Sequence, residues 1–203
     1  MYVPEHFRES DPAALHAFMR EHSFATLVST GPDGPFATHL PLLLDGDQGP
    51  RGTLLGHLAR ANPHAALLAA GGPTLAIFHG PHAYVTPQWY ATLMAVPTWN
   101  YAVVHVYGRP RVVDDIALRA ILDRTVATYE AAFAYQWRPP RGDFVETLMR
   151  NVVGFAIEID RLEGKLKLSQ NRSKDDRAGV VRGLREHGEE RGVAVAELME
   201  RTR

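Results

Sequence analysis

The sequence predicts a mainly β chain with helices, of the α+β class, in which six extended segments build an antiparallel barrel and helices pack outside it. Three observations carry this. Six segments rich in β-branched and aromatic residues recur along the chain, and most are joined by tight turns of Gly, Pro and Asp. Helical stretches fall between only some of them, so the regular β-α-β alternation of a parallel sheet is missing. Apolar residues make up 45% and charged residues 22% of 203 residues, enough for a sizeable core without disulfide or metal staples. A two-layer α+β sandwich fits the same segments and stays open at this point.

The elements follow in order. Asp11-Pro12 starts a helix, since Asp caps and Pro suits the first helical position; Leu15, Phe18, Met19 and His22 then share a face. Residues 23–29 read as a strand, 31–34 (Gly-Pro-Asp-Gly) as a turn, and Phe36 to Leu44 as the returning strand. After a Gly- and Asp-rich loop, residues 53–58 form a third strand. Asn62-Pro63 starts a second helix, stopped by Gly71-Gly72. Residues 74–79 make a fourth strand, and 80–97 read as irregular. Residues 101–113 are a fifth strand, interrupted at Gly108-Arg109-Pro110. The longest helix spans 115–135, with Ile116, Leu122, Val126, Tyr129 and Phe133 on roughly one side. A short helix covers 144–150, and 153–168 is the sixth extended segment, alternating at Phe155, Ile157 and Ile159. The whole reads as one domain over 1–203, with a charged helical tail from about residue 172.

Composition excludes several functions. There is no cysteine, so no disulfide framework, thiol nucleophile or thiolate-held cluster; this fits a reducing cytoplasm. The N-terminus shows no basic region followed by an apolar run, and no apolar run is long enough to span a bilayer. The expected location is therefore cytoplasmic, with no membrane contact. Net charge is −1, from 22 basic and 23 acidic side chains, which is not the balance of a nucleic-acid binder.

Four stretches could carry chemistry. In Gly56-His57-Leu58-Ala59-Arg60-Ala61-Asn62-Pro63 a strand ends, an Arg follows, and a helix begins. Free N–H groups and a guanidinium together suit a phosphate monoester, although a plain capped helix with a surface Arg explains this stretch alone. In Ala37-Thr38-His39-Leu40-Pro41 a proline sits in an apolar strand. It belongs at an edge, a bulge or beside a ligand, and a simple edge strand is sufficient. The stretch from Phe78 to Tyr101 is dense in aromatics, Pro, His and Asn, which suits walls for a planar ligand. His79 and His82 lack the further ligands a metal needs, and no metal is expected. Leu162 to Arg172 alternates basic and apolar residues and ends in Ser169, Gln170, Asn171 and Arg172. It reads as a solvated edge or as a strand end that donates to a ligand. No Ser-His-Asp order, Gly-x-Ser-x-Gly elbow, Walker loop or GxGxxG is present, and no catalytic residue is assigned.

Five motifs change this picture together: MYVPEHF at 1–7, GHLARANPH at 56–64, GPHAYVTPQWY at 80–90, VPTWNYAVVHVYG at 96–108 and GKLKLSQNR at 164–172. In order and content the chain resembles the PaiB-like family of FMN-binding negative transcriptional regulators. The resemblance implies a six-stranded antiparallel split β-barrel with peripheral helices, of the pyridoxamine-phosphate-oxidase type. It also implies flavin mononucleotide (FMN) as cofactor, held between the two chains of a homodimer. By the same implication, Thr38, His39, Leu40 and Pro41 face the flavin ring, and His57, Arg60 and Asn62 lie near the phosphate. Lys167, Ser169, Gln170 and Asn171 reach the cofactor region, a contribution that the other subunit could make, and Trp99 and Asn100 help wall the site. DNA is the partner the family implies, yet the charge balance argues for weak, salt-dependent contact. A flavin-dependent oxidoreductase of a small substrate, or a flavin- or haem-binding module without turnover, are the alternatives.

Overall fold

Alternation of apolar and small polar side chains from Phe24 onward makes one face of each extended segment apolar, and the segments bury that face by pairing into a sheet. The computed structural model describes residues 1–132 and 142–202, with backbone alone at 142–144. Eight strands pair among the described residues. They are β1 (Arg8–Glu9), β2 (Phe24–Gly31), β3 (Gly34–Pro41), β4 (Leu43–Asp45), β5 (Thr53–Ala59), β6 (Thr74–Val85), β7 (Thr98–Val112) and β8 (Val152–Lys167). Their order is β3-β2-β6-β7-β8-β5-β4, with β1 added on β8. Six helices accompany them: α1 (Pro12–Glu21), α2 (His64–Ala69), α3 (Asp115–Tyr129), α4 (Gly142–Met149), α5 (Lys174–His187) and α6 (Glu190–Arg201). No helix among the described residues is long and apolar enough to cross a membrane.

The contacts group into two compact units, one of residues 1–18, 79–105 and 163–203, the other of residues 19–78 and 106–162. In the second unit β2 and β3 form a hairpin from Phe24↔Pro41 to Gly31↔Gly34, closed by Pro32-Asp33. Gly34 takes φ 111°, a left-handed backbone that a side chain would strain. β2 also pairs with β6, Ala25↔Phe78 to Ser29↔Thr74, and β5 with β8, Thr53↔Glu158 to Ala59↔Val152. Leu27, Leu54, Phe78, Phe155 and Ile157 are wholly buried, each worth about 1.5–3 kcal/mol of transfer free energy. Ile121 of α3 packs with Leu43, Leu55 and Ala156.

In the first unit β1 pairs with the end of β8, Arg8↔Lys165 and Glu9↔Gly164. Helices α5 and α6 bury Val180, Leu184, Val195 and Met199 in one cluster with Val85, Tyr90 and Leu168. Ser173 caps α5 by accepting the Asp176 N–H at 3.1 Å.

The fold class agrees with the prediction, and the differences have local causes. Eight strands replace six, because β1 was not foreseen and the expected 36–44 strand breaks at Leu42. Pro41 ends the pairing with β2, and at Leu43 the chain pairs with β5 instead. Residues 80–85, expected to be irregular, continue β6. The expected interruption of β7 at Gly108-Arg109-Pro110 is absent. A Cβ at Gly108 would collide with the Glu158 carbonyl oxygen, so this glycine permits a close approach of β8. The longest helix ends at Tyr129, capped at Glu130, rather than at 135, and Phe133 lies outside the described residues. Its buried face is also different. Leu118 and Ile121 are buried, whereas Ile116 is 84% exposed. Positions 118, 121, 122 and 125 follow the i, i+3, i+4, i+7 spacing that 116 and 122 do not.

Candidate functional site

Within the second unit, a chain of polar side chains runs from β6 to β3 through a buried histidine. Thr74 Oγ1 donates to the Gly72 carbonyl at 3.2 Å, and so must accept from Ser29 Oγ, 2.8 Å away. With its proton spent, Ser29 accepts from His64 Nε2 at 3.0 Å. His64 Nδ1 is then the acceptor, and Thr38 Oγ1 donates to it at 2.8 Å. Asn62 Nδ2 donates to Thr38 Oγ1 at 3.3 Å, while Asn62 Oδ1 accepts the N–H of His64, the first residue of α2, at 3.0 Å. The chain of donors therefore fixes His64 as the neutral Nε2–H tautomer. Burial pushes its pKa below the usual imidazole value. Thr38 and Asn62, which sequence reasoning placed at the ring and at the phosphate, are thus held in contact.

The other expected residues of this unit fall around that network. His39 points to the opposite face of β3 from Thr38 and bonds Thr26 Oγ1 at 3.0 Å. Leu40 is buried. Pro41 ends β3, which pairs with β2 alone and so is a sheet edge. His57 is half-buried, and burial lowers its pKa. Arg60 donates Nε to the Arg150 carbonyl at 2.9 Å and one Nη to the Val152 carbonyl at 2.8 Å. These bonds fix the guanidinium plane and, among the described residues, leave three of its five N–H groups for another acceptor. Arg60 lines a cavity of about 890 Å³ with Ile116, Arg119, Glu146 and Arg150, within the size range of a small-molecule site.

The first unit holds the remaining expected residues. Trp99 is 54% exposed, with His82 and Tyr84 rings 6.2 and 6.0 Å from it. Asn100, next along β7, points inward and is fully buried, with Nδ2 donating to Ser169 Oγ at 3.0 Å. Ser169 takes φ 62°, an uncommon backbone for a residue with a side chain. Gln170 Oε1 accepts the Leu168 N–H and Nε2 donates to the Leu166 carbonyl, at 2.7 and 2.5 Å, so its amide clamps the end of β8. Lys167 Nζ donates to Thr98 Oγ1 and to the Trp99 carbonyl, each at 2.6 Å. Burial, then Lys165 and Arg172, lower its pKa. Asn171 is exposed and, with Asn100, Lys167 and Ser169, lines a cavity of about 140 Å³.

Sequence reasoning missed His64 and Tyr90. His64 ends the quoted GHLARANPH motif, but a histidine two residues past an Asn cap carries no signal of its own until Ser29, Thr38 and Thr74 are brought to it. Tyr90 looked like one aromatic among many. Its hydroxyl is buried and makes no hydrogen bond among the described residues.

The fold belongs to the split-barrel class found in flavin-binding proteins. The FAD and haem binding protein from Mycobacterium smegmatis superposes with a TM-score of 0.66 at 17% identity, covering 84% of this chain and 78% of that one. The flavocytochrome Anf3 from Azotobacter vinelandii superposes with 0.64 at 16% identity, covering 87% and 78%. The family described as "Putative FMN-binding domain" matches residues 1–161. The protease synthase and sporulation protein PAI 2 of Bacillus subtilis is 33% identical over 202 residues, covering 98% of this chain and 97% of the relative. This chain belongs to that FMN-binding domain family, the class its five motifs implied.

Proposed function

We propose that this chain is an FMN-binding regulatory protein that works as a homodimer. One observation carries the cofactor reading: in a chain of this family, Thr38 at the sheet edge and Asn62 at the strand-to-helix turn are locked together by His64. Edge strand β3 offers backbone groups beyond its pairing with β2 to the polar rim of a flat heterocycle. Arg60, two residues before Asn62, keeps free N–H groups for a phosphate monoester. These donors fit FMN, with its single phosphate, better than riboflavin. Bound there, the flavin would supply electron transfer, and the protein's part is to hold and orient it.

A regulatory role is supported by the family resemblance and by the relative named for protease synthase and sporulation. Cytoplasmic location follows from the same reading. Direct DNA contact is weak in this reading, since the chain carries 22 basic against 23 acidic side chains and three cations of the helical tail are already engaged. Arg185 forks onto Glu200 at 2.7 and 3.2 Å, Arg201 faces Glu197 at 3.6 Å, and Arg177 donates to the carbonyls of Met199 and Thr202.

The test is titration of flavin-free protein with FMN and with riboflavin, followed by flavin fluorescence. FMN should bind about tenfold or more tightly than riboflavin, and Arg60→Glu should erase most of that difference while riboflavin binding stays within about twofold. Equal affinity for the two flavins in the unmodified protein overturns the phosphate assignment.

A further inference from the structure

The hydrogen-bond chain through His64 has a direction, and each of its ends is a backbone group that cannot reverse it. At one end the Gly72 carbonyl accepts from Thr74. At the other the His64 N–H donates to Asn62 Oδ1, which turns Nδ2 of the same amide toward Thr38. A carbonyl can only accept and an N–H can only donate. Every proton between them is therefore already placed, and Thr38 Oγ1 points its own at His64 Nδ1, 2.8 Å away.

A second proton on the ring has no acceptor in this arrangement. It would sit on Nδ1, against the hydroxyl proton of Thr38. The chain cannot absorb it by turning over as a whole, since both ends are fixed. The link that gives way is the one between His64 and Thr38, and Thr38 also holds Asn62.

No charge stands by to compensate. His64 is wholly buried, and α2 packs on β2 and β3. Around the ring lie Ser29 from β2, Phe36 and Thr38 from β3, and Asn62 from the turn before α2. None of them is titratable. The one titratable side chain on β2 or β3 is His39, and it points to the opposite face of the strand. Burial alone lowers the pKa of His64, with no charged neighbour contributing.

We infer that His64 is a positioning residue of the flavin site and makes that site proton-sensitive: the neutral ring holds Thr38 and Asn62 in place for the cofactor, and the protonated ring releases them. This rests on the reading of Thr38 and Asn62 as flavin contacts, and adds that acidification discharges the flavin. The sign follows from linkage. The neutral form is the one that binds, so affinity is full above the pH at which His64 of the flavin-free protein takes up its proton, and falls as pH drops through it. Occupancy of the site holds the proton off in turn.

The probe is riboflavin, measured beside FMN, because the FMN phosphate has its own proton equilibrium at about pH 6 and riboflavin lacks it. Binding to flavin-free, full-length protein is followed by flavin fluorescence from about pH 8 to about pH 5, with circular dichroism confirming the fold at each pH. Riboflavin affinity should fall about threefold or more across that range, and in His64→Gln it should change by less than about twofold. The glutamine amide keeps one donor and one acceptor but does not titrate, and the other histidines stay in place. A slope equally steep in His64→Gln, or an affinity in the unmodified protein that stays within about twofold, overturns the inference, while FMN binding at about pH 8 leaves the flavin reading standing. If His64→Gln loses its cooperative melt, the His64 ring is titrated by NMR in the unmodified protein, flavin-free and flavin-loaded. Its pKa should drop on loading, and the same value in both states overturns the inference. No binding of either flavin at about pH 8 overturns the flavin reading and this inference with it.

Discussion

His64 shows at single-residue scale how a polar group can sit in an apolar unit. Both ring nitrogens are used, and the proton order from Thr74 to Thr38 leaves the neutral ring as the form that fits. A proton added at Nδ1 would face a hydroxyl whose own proton already points at that nitrogen. With its pKa lowered by burial, folded His64 binds a proton less readily than the unfolded chain does. Below the ordinary imidazole value of about 6.5 the unfolded state therefore holds more protons, and stability falls as pH falls through that region. His22 and His57, also lowered by burial, act in the same direction. The urea midpoint should drop between about pH 8 and about pH 5.5, and His64→Gln should be less stable at pH 8 yet flatter in pH. An equally steep profile in the variant would show that His64 takes no part. This residue also marks what the sequence alone made visible. Thr38 and Asn62 were legible because Pro41 and Pro63 flag unusual backbone beside them. The histidine that joins them was not, since its partners come from β2, β3 and β6, far apart in the chain.

Elements were legible where their periodicity was local. The β2–β3 hairpin and the start of α1 at Asp11-Pro12 follow from adjacent residues alone, whereas α2 begins at His64 with Pro63 at its cap and β8 is buried on both faces over 153–157. Where another strand or helix decides, the reading failed. Gly108 looked like a break in β7 because only the approach of Glu158 explains it. The face of α3 was assigned from its largest side chains, whereas packing against Leu43, Leu55 and Ala156 selects Ile121. Helix α5 gives a sharper case. Gly179 and Gly183, four apart on one face, both meet Trp89: a Cβ at 179 would collide with its carbonyl oxygen and one at 183 with its indole. Gly→Ala inside a free helix stabilises by about 1 kcal/mol. Here the backbone carbonyl cannot yield, so Gly179→Ala should instead destabilise by about 1–3 kcal/mol. A denaturant midpoint that rises in Gly179→Ala would show that α5 does not dock on residues 87–89 in this way.

At the scale of the molecule, the two signals that matter are the family match over residues 1–161 and the apolar surface left uncovered. Leu93 and Met94 are fully or almost fully exposed, and Val96 and Trp99 more than half exposed, all within seven residues. Exposed apolar area of this density on one segment supports the proposed homodimer, with a second copy of the same chain as its cover under closed symmetry. Dimer and cofactor then become one claim, an FMN-loaded homodimer. Sedimentation velocity of FMN-reconstituted protein at micromolar concentration, followed by flavin absorbance, tests both at once. Flavin absorbance should move with a particle of twice the 22.5 kDa chain mass. A 22.5 kDa particle, or flavin that stays behind as the protein sediments, would contradict it.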